Sequence, residues 1–352
     1  MIDSCKSFCE PDFKMSLHKN RITIKDVAEA SGVSEATVSQ VLGNGSRPVN
    51  SNTRARILKV ACDLDYRPSA VARALVKRRT DAIGIALPHW NGSMANAFLM
   101  ELLEAVLSVC TPRRKITMLC TFPSWEEAEL APGLTDGRCD GVLLLVPPAS
   151  CSLLPLLQER GLPFVLVNAN DPAGRMFGVD VDNIEATRRL TQHLLDLGHR
   201  RIAFLSQPWD VNFPFFHERF EGFRQAMAAA GHLHTALSLD KEEVLNLDWS
   251  APDRPTAIVG LYDALTLCVM ERLMQLGVRV PQDVSVVGFD DISAAARALP
   301  PLTTMRQPID RIGRRSAEML LDLIDDKIPP GRQEYLPTEL IIRESTAPPA
   351  VD

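Results

Sequence analysis

Six short apolar runs constrain this chain more than any other feature: AIGIAL (82–87), VLLLV (142–146), FVLVN (164–168), RIAFLS (201–206), AIVGLY (257–262) and SVVGF (285–289). Each is too short for a buried helix and is followed by a longer amphipathic segment. That alternation is the mark of parallel strands covered on both faces and joined by crossover helices. Three runs fall on either side of about residue 180, which predicts an α/β body of two doubly wound parallel-sheet subdomains with a cleft between them. Small molecules bind such folds at the carboxyl ends of the strands. The candidates there are His89, Trp90, Asn168, Trp209, Tyr262 and Asp290, with Phe98 at the start of the helix after the first run.

Ahead of these runs, TIKDVAEASGVSEATVSQVL (23–42) reads as two short helices broken at Gly32-Val33-Ser34. Thr23 and Ser34 are placed to cap them, and Gly32 supplies a turn conformation that a side chain would oppose. Ile24, Val27 and Ala28 share one face of the first helix, and Val38, Val41 and Leu42 share one face of the second. The second helix leaves Glu35, Ala36, Thr37, Ser39 and Gln40 for other work, short or polar groups suited to base edges in a major groove. A third helix begins at Asn50-Ser51-Asn52, and its Ile57, Leu58, Ala61 and Leu64 are expected to complete a three-helix core. Arg54, Arg56 and Lys59 lie along it.

Charge separates the two parts. Residues 1–80 hold 14 Lys and Arg against 8 Asp and Glu, a balance of +6, whereas the remainder carries −12. A basic head on an acidic body suits a phosphate-contacting module tethered to a sensor. Asn44 and Arg47, in the polar loop before the third helix, are placed for phosphate contacts that orient without reading sequence.

The order and spacing from Thr23 through RPSAVARAL (67–75) resemble the lactose-repressor (LacI-type) family of bacterial transcription regulators. The resemblance continues through Val181-Asp182-Asn183, Gly198-His199-Arg200, Arg219-Phe220-Glu221-Gly222-Phe223, VPQDVSVVGFDD (280–291), PPLTTMRQP (300–308) and Arg343-Glu344-Ser345. It implies a helix-turn-helix head, a hinge helix and a periplasmic-binding-protein-like body, divided as follows: a disordered arm at 1–20, the DNA-binding domain at 21–67, the hinge at 68–79, and a ligand-binding and dimerisation domain at 80–352. The two subdomains would comprise about 80–180 with 307–329 and about 181–306 with 330–352, the chain crossing between them near 180, 306 and 330. Met15 stands a few residues before the usual start of the family's head, so translation from Met1 or from Met15 are both open.

By the same resemblance the partners are palindromic double-stranded operator DNA, a second copy of the chain and a small effector, a sugar or a related metabolite. Ser69, Ala72, Arg73 and Leu75 match the hinge that folds in the minor groove, with Leu75 as the wedge between base steps. Many relatives carry Arg where this chain has Gln40. Gln suits adenine, or it touches only phosphate or solvent. Arg219 sits where several relatives contact effector. It and Asp290 either bracket a polyhydroxylated ligand or pair with each other. Tyr262 departs from the amide usual in the family, and Trp209, Phe213, Phe215 and Phe216 suggest an aromatic cleft that either stacks on a sugar ring or packs shut.

Other classes find little support. No P-loop, nucleophile elbow or dinucleotide-binding glycine fingerprint is present, so no catalytic residue and no cofactor are expected. The eight cysteines, at 5, 9, 62, 110, 120, 139, 151 and 268, lack the spacing of a zinc site or a disulfide framework, which fits reduced thiols in a cytoplasmic protein. Neither a membrane-spanning run nor a signal-peptide core is found. The expected function is a ligand-responsive, sequence-specific DNA-binding repressor controlled by a small carbohydrate-like effector; an activator of the same architecture and a solute-binding receptor are the alternatives, and the DNA-binding head and missing signal peptide speak against the receptor.

Overall fold

The structure, a computed structural model, describes residues 22–43, 48–67, 74, 77, 79–88, 96–126, 133–148, 150–171, 173–327 and 333–350. The arm expected at 1–20 and most of the hinge lie outside them. The chain divides between Arg78 and Arg79 into two compact units.

The first unit contains three helices, α1 (Ile24–Ser31), α2 (Glu35–Leu42) and α3 (Ser51–Asp63). Thr23 caps α1 in a reciprocal box: its hydroxyl accepts from Asp26 N, and the Asp26 carboxylate accepts from Thr23 N at 2.7 Å. Gly32 ends α1 at φ +62° and sends its N–H back to Glu29 O, and Ser34 then caps α2 by accepting from Thr37 N at 3.2 Å. Val27, Ala28, Val38, Val41, Ile57 and Ala61 form the small core. Ile24, Leu42 and Leu64 are only half-buried around it. Leu58 departs from expectation: it is 47% exposed, because Ile57 and Ala61 already fill the inner face of α3.

In the second unit the described strands form two six-stranded sheets. The first lobe contains β1 (Ala82–Pro88), α4 (Ala97–Cys110), β2 (Ile116–Phe122), β3 (Gly141–Leu145), α5 (Leu153–Glu159), β4 (Phe164–Val167) and β5 (Gly178–Val181). The second contains α6 (Asn183–Asp196), β6 (Ile202–Leu205), a 3-10 turn at Pro208–Asn212, α7 (Pro214–Ala229), β7 (Ala236–Leu239), α8 (Lys241–Leu245), β8 (Ala257–Gly260), α9 (Asp263–Gln275), β9 (Ser285–Asp290), α10 (Ser293–Arg297) and β10 (Thr303–Arg306). The chain ends with α11 (Ile309–Ile324), β11 (Gln333–Leu336) and β12 (Glu339–Ile341). Strand order is β11-β5-β4-β3-β1-β2 in one sheet and β12-β10-β9-β8-β6-β7 in the other, all parallel except the β10–β12 pair. The apolar runs of the sequence are β1, β3, β4, β6, β8 and β9; residues 82–87 of β1 and all of β3, β6, β8 and β9 are buried, and in β4 only Phe164 is half-buried.

Three crossings join the lobes. The first follows β5. The second follows β10, where α11 returns to pack on α4 and β4. Gly313 permits that approach, since a Cβ there would lie 2.6 Å from Ala105 Cβ and 2.7 Å from Leu102 O. The third falls at residues 337–338 instead of near 330. β11 pairs with β5 and so belongs to the first sheet, and only β12 returns to the second. Among the described residues, no helix is long and apolar enough to cross a membrane.

Candidate functional site

Two surfaces carry the chemistry. On the head, α2 presents Glu35, Ala36 and Ser39 to solvent, with Gln40 half-buried beside them. The Ser34 and Thr37 hydroxyls lie 2.8 Å apart at the start of α2, and the Thr23 hydroxyl is engaged with Asp26. These three side chains therefore brace the helices, while Glu35, Ala36 and Ser39 stand exposed on α2. Arg54 stands half-buried on α3. Asn44, Arg47, Ser69, Ala72, Arg73 and Leu75 lie outside the described residues.

In the body, a cavity of about 670 Å³ opens at the carboxyl ends of the strands, with walls from both lobes. Phe98, Asn168, Trp209, Arg219, Tyr262 and Asp290 all line it. His89 and Trp90 lie outside the described residues. Asn168, just after β4, and Asp290, the last residue of β9, take positive φ, +52° and +120°, a conformation that non-glycine residues rarely adopt and that concentrates at functional sites.

Arg219 is the keystone of the floor. It is 2% exposed, donating from Nε to Asn183 Oδ1 at 2.8 Å and from Nη1 to Leu261 O at 2.7 Å. Its Cζ sits 3.6 Å from the centroid of the Phe289 ring. Asp290 is 3.8 Å away, and Asp290 Oδ1 also accepts from Gln307 Nε2 at 2.7 Å. Arg219 and Asp290 are close enough to pair, and both line the cavity. Burial pushes the Asp290 carboxyl up to about 6 against the opposing pull of Arg219, and burial likewise raises Asp210 to about 6. Burial also raises the Tyr262 phenol, with Asp210 and Asp290 adding to the effect, so Tyr262 is an un-ionised donor beside two carboxylates.

The sequence did not single out Trp125, Glu126, Asp210, Asn212 or Gln307 as cavity residues, yet all five line it. Gln307 follows β10, whose TTMR sequence is too polar to stand out as a buried strand. Asp210 sits on the 3-10 turn, where it accepts from Gln207 N at 2.7 Å. Phe213 and Phe215 stack at 5.5 Å and line the wall. Phe216, one residue further along α7, turns inward against Phe204 and Phe220 and serves the core. Asp263 is fully buried and accepts from Thr304 Oγ1 and Ile292 N, a structural role. His199 is also structural, its ring within 2.9 Å of both Thr256 Oγ1 and Ala347 O.

A helix-turn-helix head attached to a two-lobed receptor with a ligand-sized cleft defines a ligand-responsive, DNA-binding transcriptional regulator. Residues 23–69 match the profile of bacterial regulatory proteins of the lacI family, and residues 191–346 match the periplasmic binding protein-like domain. The chain belongs to the lacI family of bacterial regulatory proteins. It is 34% identical over 340 residues to the HTH-type transcriptional repressor PurR of Vibrio vulnificus, covering 92% of this chain and 98% of that protein. A solved complex of the transcriptional regulator CelR with cellobiose superposes with a TM-score of 0.67 at 31% identity, over 92% of this chain and 100% of that one. The lac repressor dimer bound to operator and the anti-inducer ONPF gives 0.79 at 25% identity, over 93% and 100%. The named relatives are transcription regulators, not enzymes.

Proposed function

We propose that this chain is a homodimeric repressor that binds a palindromic operator through α2 and changes its operator affinity when a carbohydrate-class effector occupies the interlobe cleft. The observation that carries the reading is the cavity itself. It lies at the strand ends of both lobes, so its occupant acts on the angle between them, in a chain that also bears a DNA-reading head. CelR is seen with cellobiose and the lac repressor dimer with operator, which supports both halves of the proposal. The proposed contacts are Glu35, Ala36, Ser39 and Gln40 on DNA, and Phe98, Asn168, Trp209, Tyr262 and Asp290 on the effector. By linkage, effector and operator change each other's affinity by the same factor, typically about 5- to 150-fold. The test is selection from a random DNA pool by the purified chain, followed by operator titration with and without candidate sugars. Enrichment of a palindrome whose affinity shifts with sugar is the expected result, and failure to enrich any palindrome removes the proposal.

A further inference from the structure

The cleft is rich in acceptors and in negative charge. Asp210, Asp290 and Glu126 line it, and among the described lining residues Arg219 is the only cation. Two of the three guanidinium nitrogens are already engaged with Asn183 and Leu261. Gln307 is 3% exposed, and its Nε2 donates to Asp290, which leaves Oε1 as the unsatisfied end; that atom is buried and has no partner in the protein. Asn168 Oδ1, also 3% exposed as a residue, is buried and unpartnered in the same way. A buried acceptor without a donor costs free energy, so a ligand that donates to it gains affinity.

Aromatic surface complements these acceptors on both sides. Trp125 is buried on the first lobe, held edge-on to Phe122 at 5.0 Å, and Phe98 stands on the same lobe. Trp209 and the stacked pair Phe213 and Phe215 face the cavity from the second. Apolar faces around a polar, donor-seeking floor suit rings whose faces are C–H and whose edges are O–H.

From this arrangement we infer that the effector is an uncharged, hydroxyl-rich sugar, and that the cleft rejects sugar phosphates and sugar acids. The inference rests on the effector reading above and narrows it. An anionic group would set charge against like charge at Asp210 and Asp290, and acceptor against acceptor at Gln307 Oε1 and Asn168 Oδ1. A cationic ligand fares little better on the floor, where Arg219 already stands 3.8 Å from Asp290. Asp210 and Asp290 are held above the usual carboxylate range, mainly by burial, and hydroxyl donors would relieve that cost.

The experiment is titration calorimetry of the full-length chain against a fixed panel: neutral mono- and disaccharides including cellobiose, the matching phosphates and uronic acids, an amino sugar, and purine bases. The expected result is binding by at least one neutral sugar, with its phosphate or uronate at least tenfold weaker. The variant Asp210→Asn, which keeps an acceptor for Gln207 N, should weaken the neutral sugar by about 10- to 100-fold, as loss of a hydrogen bond to a charged acceptor does. Tighter binding of a phosphate, uronate, amino sugar or purine overturns the inference, as does silence from every neutral sugar. An anionic ligand that shifts operator affinity would leave the regulator standing and remove only its ligand class. A neutral sugar that binds without shifting operator affinity would do the reverse.

Discussion

Asn170 of the first lobe donates to Glu218 of α7, in the second, through a 2.8 Å hydrogen bond. The same carboxylate accepts from Asn183 Nδ2 at 2.9 Å, and Asn183 in turn accepts from Arg219. Glu218 therefore links the lobe boundary to the floor of the cleft. Glu218→Ala removes the shortest bond from each of two buried amides, leaving them only the longer contacts to Asp180 at 3.2 and 3.5 Å and to Val181 O at 3.4 Å, and should cost about 1–3 kcal/mol of body stability. Denaturant titration of the single variants and of Asn170→Ala/Glu218→Ala should show non-additivity of about 0.5–3 kcal/mol. Additive losses would mean that the bond does not join the lobes energetically.

Asp180 sits against this pair, wholly buried, with Glu218 and Arg219 facing it from α7, Tyr335 from β11, and Asn170 and Asn183 alongside. Burial raises its carboxyl from 3.8 to about 7, and Glu218 adds to the effect. A group raised on folding contributes stability that is full below about pH 4 and is lost as pH climbs through 7, at no more than about 1.4 kcal/mol per pH unit. Asp210 and Asp290 act in the same direction up to about pH 6. Asp180→Asn, a mimic of the protonated form, should gain in melting temperature relative to wild type between pH 5 and pH 8. A constant difference across that range would show that Asp180 titrates normally.

Variants of the cleft need care, because Arg219→Ala would strip partners from Asn183, Leu261 O and Phe289 and unsettle the fold. Trp209 is the cleaner probe, being 60% exposed while lining the cavity. Trp209→Ala should keep stability within about 0.5 kcal/mol and weaken effector binding by roughly 0.5–1.5 kcal/mol. Thermal melts with calorimetry check both, and undiminished affinity would place the sugar away from the second-lobe aromatics.

In the head, Gly32→Ala forces a side chain into left-handed backbone at φ +62° and should cost about 1–2 kcal/mol. Thr23→Ala, which breaks the capping box, should cost about 1 kcal/mol. Amide exchange across 24–61 should quicken in both variants while exchange in the body stays as it was. Unchanged protection in α1 and α2 would remove the turn and cap from the list of stabilising features.

The inner strands were legible because a strand covered on both faces must be apolar throughout, as in VLLLV and AIVGLY. The others were not. β2 alternates unevenly, with Ile116 60% exposed, while β5 and β10 bury Asp180, Thr303 and Thr304 in polar networks that no hydrophobic pattern reports. The ligand candidates at strand ends could be named because topology alone places them. Asp210, Gln307 and Glu218 could not, since their significance comes from neighbours far away in sequence, and periodicity is blind to such pairings. Leu58 shows the opposite failure: helical spacing pointed it inward, and a narrow three-helix core had no room for it.

The three crossings also bear on how the protein is made. Neither lobe is a continuous stretch of chain: one sheet lacks β11, and the other β12, until residues 333–341 have been synthesised. The head closes its core within residues 22–66. A ribosome thus releases a DNA-reading module that can fold early and a sensor that can be completed only once β11 and β12 have emerged, because domains form as their last contacts emerge. For much of its synthesis, each nascent chain carries a finished head ahead of an unfinished switch.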